Sequence, residues 1–215
     1  MKYFYIYIII LVCFIFFMAY YNTNFRIEGF TQNKRDYVLM GDSVLNNYPY
    51  VDEGKSVTDL LKNNTTGKVL CLAKNNATIP QVYSQIDKIP DTLNTSNTMI
   101  FLSIGGNDIL DKSEQSNFSL DSLFEDYTKL VQTIKSIVPE PTLLLFDIYY
   151  PKDENYEKYY SIVQQWNTML YNFVLKNNFK MFKISNILTE PADFKNGIEV
   201  STIGSEKLVD ALLKV

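Results

Sequence analysis

Leu143-Leu144-Leu145-Phe146 is apolar at every position, and so is Val38-Leu39-Met40. A strand with one face in water alternates apolar with polar residues. Runs without that alternation belong to strands covered on both faces, as in a parallel sheet under helices. Strand candidates of this kind lie at 37–40, 68–72, 99–104, 142–148 and 180–184. Helix candidates separate them, at 56–63, 80–88, 120–138, 155–177 and 205–213. The third helix has Leu123, Tyr127, Leu130, Val131, Ile134 and Val138 at helical spacing, with Ser119 or Asp121 placed to cap it. Strand and helix in alternation predict a three-layer α/β/α domain with right-handed crossovers.

The chain has 215 residues, enough for one such domain and an appendage. The appendage is N-terminal. No charge occurs from Tyr3 to Tyr21, and Ile8 to Phe17 is continuously apolar. That is close to the ~20 residues that cross a bilayer as a helix, and tyrosines at both ends suit the interfacial belt. Residues 1–21 are read as a transmembrane anchor, 22–36 as a polar linker and 37–215 as the domain. A cleaved signal peptide is the alternative, disfavoured by the lack of a convincing small-x-small cleavage site. Lys2 on one side and Arg26, Lys34 and Arg35 on the other leave the side of the membrane open.

Composition removes several function classes. Net charge is −4, with no basic stripe, so nucleic acid is not an expected partner. Histidine is absent, which removes the usual general base and the commonest metal ligand. Cys13 and Cys71 lie in separate apolar runs and make no disulfide framework.

Two strand ends carry the chemistry. Val38-Leu39-Met40-Gly41-Asp42-Ser43 is an apolar run closed by a glycine, an acid and a hydroxyl. Leu102-Ser103-Ile104-Gly105-Gly106-Asn107-Asp108 is another, closed by glycines and an amide. In open α/β sheets the site lies outside the carboxyl edge. Ser43 and Asn107 are therefore expected on one rim, as nucleophile candidate and side-chain donor. Asp42 and Asp108 are read as hydrogen-bond acceptors at turns, and Asp147 as an acid lining the rim. Tyr149, Tyr150, Tyr156, Tyr159 and Tyr160 are expected to pack helices, with a substrate wall as the alternative. Trp166 is expected in the core.

From about residue 37 to the C-terminus, these motifs resemble those of the SGNH (GDSL-type) hydrolases. Gly41-Asp42-Ser43 matches the first block and Gly105-Gly106-Asn107-Asp108 the third. Leu72 to Thr78 falls at the second block, with Asn76 in the place of a glycine. Asn196-Gly197-Ile198-Glu199-Val200-Ser201, then Gly204, falls at the last block, normally Asp-x-x-His. Asn196 stands for the aspartate and Glu199 for the histidine. The resemblance implies a flavodoxin-like five-stranded parallel sheet in the order 2-1-3-4-5. It further implies a serine esterase, without metal or organic cofactor, acting on a small ester, an acylated lipid or a glycan.

In that reading Ser43 is the nucleophile. The oxyanion hole is the Ser43 N–H, the Asn76 N–H and the Asn107 side chain, and Gly106 borders the pocket. Asparagine is among the better substitutes for a glycine at positive φ. A serine hydroxyl needs a base, and a partly buried carboxylate with a raised pKa can be one, so Glu199 is the candidate. Asn196 either orients it or bonds the loop, and Asp42 and Asp193 are nearby acids able to share its proton. The alternative is a catalytically inactive domain that keeps the pocket to bind an acylated lipid or glycan. A catalytic site needs Glu199 within reach of Ser43; a binding site does not. A third reading, a structural domain, would fill the Ser43 rim with its own side chains.

Overall fold

Strand β1, Asp36–Gly41, has Val38 and Met40 pointing into one core and Tyr37 and Leu39 into another, because successive side chains leave opposite faces. The computed structural model describes residues 34–215. The anchor at 1–21 and most of the linker lie outside the described residues. Among the described residues, no helix is long and apolar enough to cross a membrane.

On one side β1 pairs in parallel with β2 (Val69–Cys71), on the other with β3 (Thr98–Ser103). Strand β4 (Thr142–Phe146) follows, then β5 (Lys180–Phe182), giving a five-stranded sheet in the order β2-β1-β3-β4-β5. All pairings are parallel, and the order is the one the resemblance implied.

Helices cover both faces. One core joins Val38, Met40, Ile100 and Leu102 to α2 (Ile79–Ile86), α4 (Leu120–Ile137) and α5 (Tyr160–Asn177). The other joins Tyr37, Leu39, Phe101 and Phe146 to α1 (Val57–Asn64) and α6 (Thr202–Leu212). Trp166 is fully buried on α5, edge-on to Phe124 and Tyr127 of α4. Ser119 caps α4 by accepting from the Ser122 N–H at 3.2 Å.

Three local differences from the sequence expectation shape the site. Residues after Gly105 form a helix, α3 (Gly106–Lys112), where no helix candidate lay. The first part of the 155–177 helix candidate is a 3-10 helix, Glu154–Tyr159, begun by Asp153 accepting from the Asn155 N–H at 2.9 Å and followed by α5. A two-stranded antiparallel hairpin, β6 (Phe194–Lys195) and β7 (Glu199–Val200), precedes α6. Its strands are too short to show any alternation in sequence.

Candidate active site

Gly41 ends β1 with a φ of 115°. A Cβ there would lie 1.7 Å from the Ser103 carbonyl oxygen on β3, so neither the torsion nor the space admits a side chain. Gln85, fully buried on α2, holds the Gly41 peptide groups at both ends. Its Oε1 accepts from the Gly41 N–H at 2.7 Å and its Nε2 donates to the Gly41 carbonyl at 3.0 Å. The chain then turns, with the Asp42 N–H donating to the Ser103 carbonyl at 3.0 Å and the Asn46 N–H to the Asp42 carbonyl at 3.2 Å. Ser43 is delivered to the carboxyl edge of the sheet.

Strand β3 delivers the neighbouring groups. Asn107, in the first turn of α3, donates from Nδ2 to the Ala77 carbonyl at 2.9 Å. A primary amide has two N–H donors, so one remains for the pocket. Asn76 precedes that carbonyl's residue and has a φ of 56°, the left-handed conformation that asparagine tolerates. Asp108 is turned away from the pocket. Its carboxylate accepts from the Ile79 N–H at 2.9 Å and pairs with Lys112 at 3.0 Å, tying α3 to the start of α2.

Glu199 approaches from β7. Asn196 and Gly197 turn the hairpin with φ values of 54° and 72°, and the Ile198 N–H donates to the Lys195 carbonyl at 3.4 Å. Two successive left-handed residues at a hairpin turn are what Asn-Gly favours. Ser43 and Glu199 line the same pocket, close enough for the serine to act on the glutamate's ionisation. Burial pushes the Glu199 pKa up from the ordinary glutamate value, and the nearby Ser43 opposes that shift.

Ser43, Asp42, Gly106, Asn107, Asp147 and Glu199 line one pocket. Asn76 and Asn196 are not among its lining residues: the first shapes the loop that bears Ala77, the second makes the hairpin turn. Asp193 has its oxygens engaged by the Thr189 and Glu190 N–H groups, each at 2.9 Å, and by Lys207 at 2.6 Å. Burial alone would raise its pKa, but Lys207 and the two amides hold it below the ordinary value. It has no proton to share with Glu199. Asp147 accepts from the Ser185 N–H at 3.0 Å and from its hydroxyl at 2.5 Å, which leaves it a wall rather than an actor.

The tyrosine cluster divides. Tyr149, Tyr156 and Tyr159 line the pocket, and Tyr150 and Tyr160 meet edge-on outside it. The expectation of pure helix packing is corrected here. In a 3-10 helix positions three apart fall on one side, which brings Tyr156 and Tyr159 to the pocket together. Gln85 and Asn47 are supporting residues that sequence reasoning missed, and Tyr149, read there only as packing or substrate wall, is a third. Gln85 left a trace: it lies three residues from Val82 on the apolar face of α2, where a polar residue needs buried partners. Among the described residues, no group of three or more His, Cys, Asp or Glu side chains could hold a metal ion.

Asp42 gives a pH prediction. Its Oδ1 accepts from the Val44 N–H and the Ser103 hydroxyl, each at 3.2 Å. Burial nonetheless pushes its pKa from 3.8 to about 7, with the Glu199 and Asp108 charges adding to the rise. Between those values the folded state holds a proton that the unfolded state has released. The stability this group contributes is therefore full below about pH 4, falls as pH rises towards about 7, and is flat above. The fall expected from this group is on the order of 4 kcal/mol. Asp42→Asn keeps the Oδ1 acceptor and should flatten the fall, read as urea midpoints against pH. A variant whose midpoints follow the parent's slope would assign that slope elsewhere.

Comparison with solved structures places the architecture. A member of the lipolytic protein G-D-S-L family from Veillonella parvula aligns with a TM-score of 0.69 at 15% identity, over 84% of this chain and 97% of that one. The chain has the fold of the SGNH hydrolases. The lipase/acylhydrolase from Enterococcus faecalis shares that GDSL-type fold with a TM-score of 0.65 at 19% identity, over 84% of this chain and 94% of its own. So does the psychrotrophic esterase EstA from Pseudoalteromonas, with a TM-score of 0.64 at 12% identity, over 84% and 95%. No family profile matches the sequence, and no curated protein does.

Proposed function

We propose that the domain is a serine esterase of the SGNH type that uses a carboxylate where its relatives in fold use histidine. The observation that carries this reading is that Ser43, Asn107 and Glu199 line one pocket, with burial raising the Glu199 pKa. As Ser43 Oγ attacks the acyl carbon of an ester, its proton passes to Glu199. The oxyanion is held by the second Asn107 N–H and by the backbone N–H of Ser43, both in the pocket lining. Collapse of that intermediate breaks the bond to the alcohol, which takes the proton back from Glu199. Water, deprotonated by Glu199 in turn, then cleaves the acyl-serine and restores the hydroxyl. Such donors commonly contribute ~10²–10³ in rate.

The test is labelling of residues 34–215 with a fluorophosphonate. The parent is expected to label and Ser43→Ala is not. The Asn196 turn position favours a second reading, since the residue aligned with the family's aspartate is exposed and does not line the pocket. A parent that neither labels nor hydrolyses any ester, yet binds an acylated lipid or glycan, would establish that reading in its place.

We further propose that residues 3–21 hold this domain at a membrane, on the strength of their uncharged length. Full-length protein should then stay with the membrane fraction through a high-salt wash and need detergent for release. Uncleaved protein in the soluble fraction would end the proposal.

A further inference from the structure

We propose that Tyr149 is a positioning residue for Glu199, a role that rests on the esterase reading above. Glu199 sits in a two-residue strand beside a turn, so the direction of its side chain depends on how the flanking peptides are held. Both are held by buried side chains from elsewhere in the fold. The carbonyl before it, on Ile198, accepts from the Tyr149 hydroxyl at 2.7 Å. The carbonyl after it, on Val200, accepts from Asn47 Nδ2 at 3.3 Å.

Tyr149 grips the other strand of the hairpin as well. Its ring lies 5.1 Å from that of Phe194 on β6, at an interplanar angle of 38°. The segment that follows it adds a backbone bond, from the Lys152 N–H to the Gly197 carbonyl at 2.6 Å. Behind that turn Gly197 lies against Asp153, where a Cβ would come within 2.5 Å. The chain leaving β4 thus fixes both strands and the turn of the hairpin that presents Glu199. Asn196, aligned with the acid that relatives place three residues before their base, is committed to the turn. Burial, with the Asp42 and Glu199 charges nearby, keeps the Tyr149 hydroxyl protonated, so it remains a donor.

Asn47 is the poorer test of this arrangement, since it also bonds the Val57 N–H and Ser205. Tyr149→Phe removes one hydroxyl and leaves the ring on Phe194 and in the pocket wall. With p-nitrophenyl butyrate, kcat and the fluorophosphonate labelling rate should fall ~10–100-fold, the scale of a small misplacement of a reacting group. KM should hold within about twofold, because the wall is intact. Residues that act as a unit are non-additive, so Tyr149→Phe placed on Glu199→Gln should not lower the residual turnover further. An equal loss in both backgrounds would make Tyr149 a pocket wall only and overturn the inference. So would unchanged kcat in a parent that hydrolyses the ester. A parent with no labelling and no turnover overturns the esterase reading itself, and this inference with it.

Discussion

Glu199→Gln is expected to lower ester turnover by ~10³-fold, inside the range that general-base catalysis commonly supplies. The amide fills the same space and can still accept from Ser43, but it cannot take the proton. Melting should separate loss of chemistry from loss of fold. Burial raises the Glu199 pKa, so ionising it opposes folding, and the neutral amide should leave the melting temperature unchanged or higher. The parent's pH profile should rise through a pKa above the ordinary glutamate value. Asp42, pushed to about 7, can add an inflection near neutrality that would pass for a histidine in a chain that has none. Asp42→Asn removes that inflection and leaves the lower limb. A Glu199→Gln protein as fast as the parent would show that the proton goes elsewhere.

Gly41→Ala should cost at least ~4 kcal/mol, in the range reserved for a few severe mechanisms. The new methyl would need the place of the Ser103 carbonyl oxygen, 1.7 Å away, at a φ of 115° that alanine avoids. Relief requires β1 and β3, the centre of the sheet, to part, and with them the two bonds from Gln85. For a domain of this size the melting temperature should fall by ~8–16 °C, or folding should fail. Gly54→Ala is the control. It too has a positive φ, 73°, but nothing within 4 Å of its Cβ position, so it bears only the torsional cost of ~1–2 kcal/mol. Equal melting temperatures for the two variants would refute the steric account.

The layers of the fold were legible because β1, β3 and β4 bury both faces, and sequences such as Leu143-Leu144-Leu145-Phe146 have no other use in a short strand. The address of Ser43, the candidate nucleophile, was legible for the same reason, as the first polar residues after such a run must emerge at the sheet's edge. What stayed hidden depends on contacts far apart in sequence. Gln85 meets Gly41 across 44 residues, and Tyr149 meets Ile198 across 49. Neither pairing has a local pattern. The hairpin stayed hidden because two residues per strand cannot display a period of two, although Asn196-Gly197 carried the turn signal. Read as a stand-in for a catalytic acid, Asn196 drew attention from its backbone, where its φ of 54° is the property in use.

The chain enters the domain at Lys34, beside the amino end of β1, and reaches the pocket only after the six residues of that strand. At about 3.3 Å per residue, roughly 20 Å of sheet separate the point of entry from Ser43. A carrier joined ahead of Lys34, whether a fusion partner, a bead or a biosensor chip, therefore takes hold of the end remote from the pocket. The handle and the working edge are opposite ends of a single strand, so the domain can be gripped by its N-terminus without obstructing the mouth.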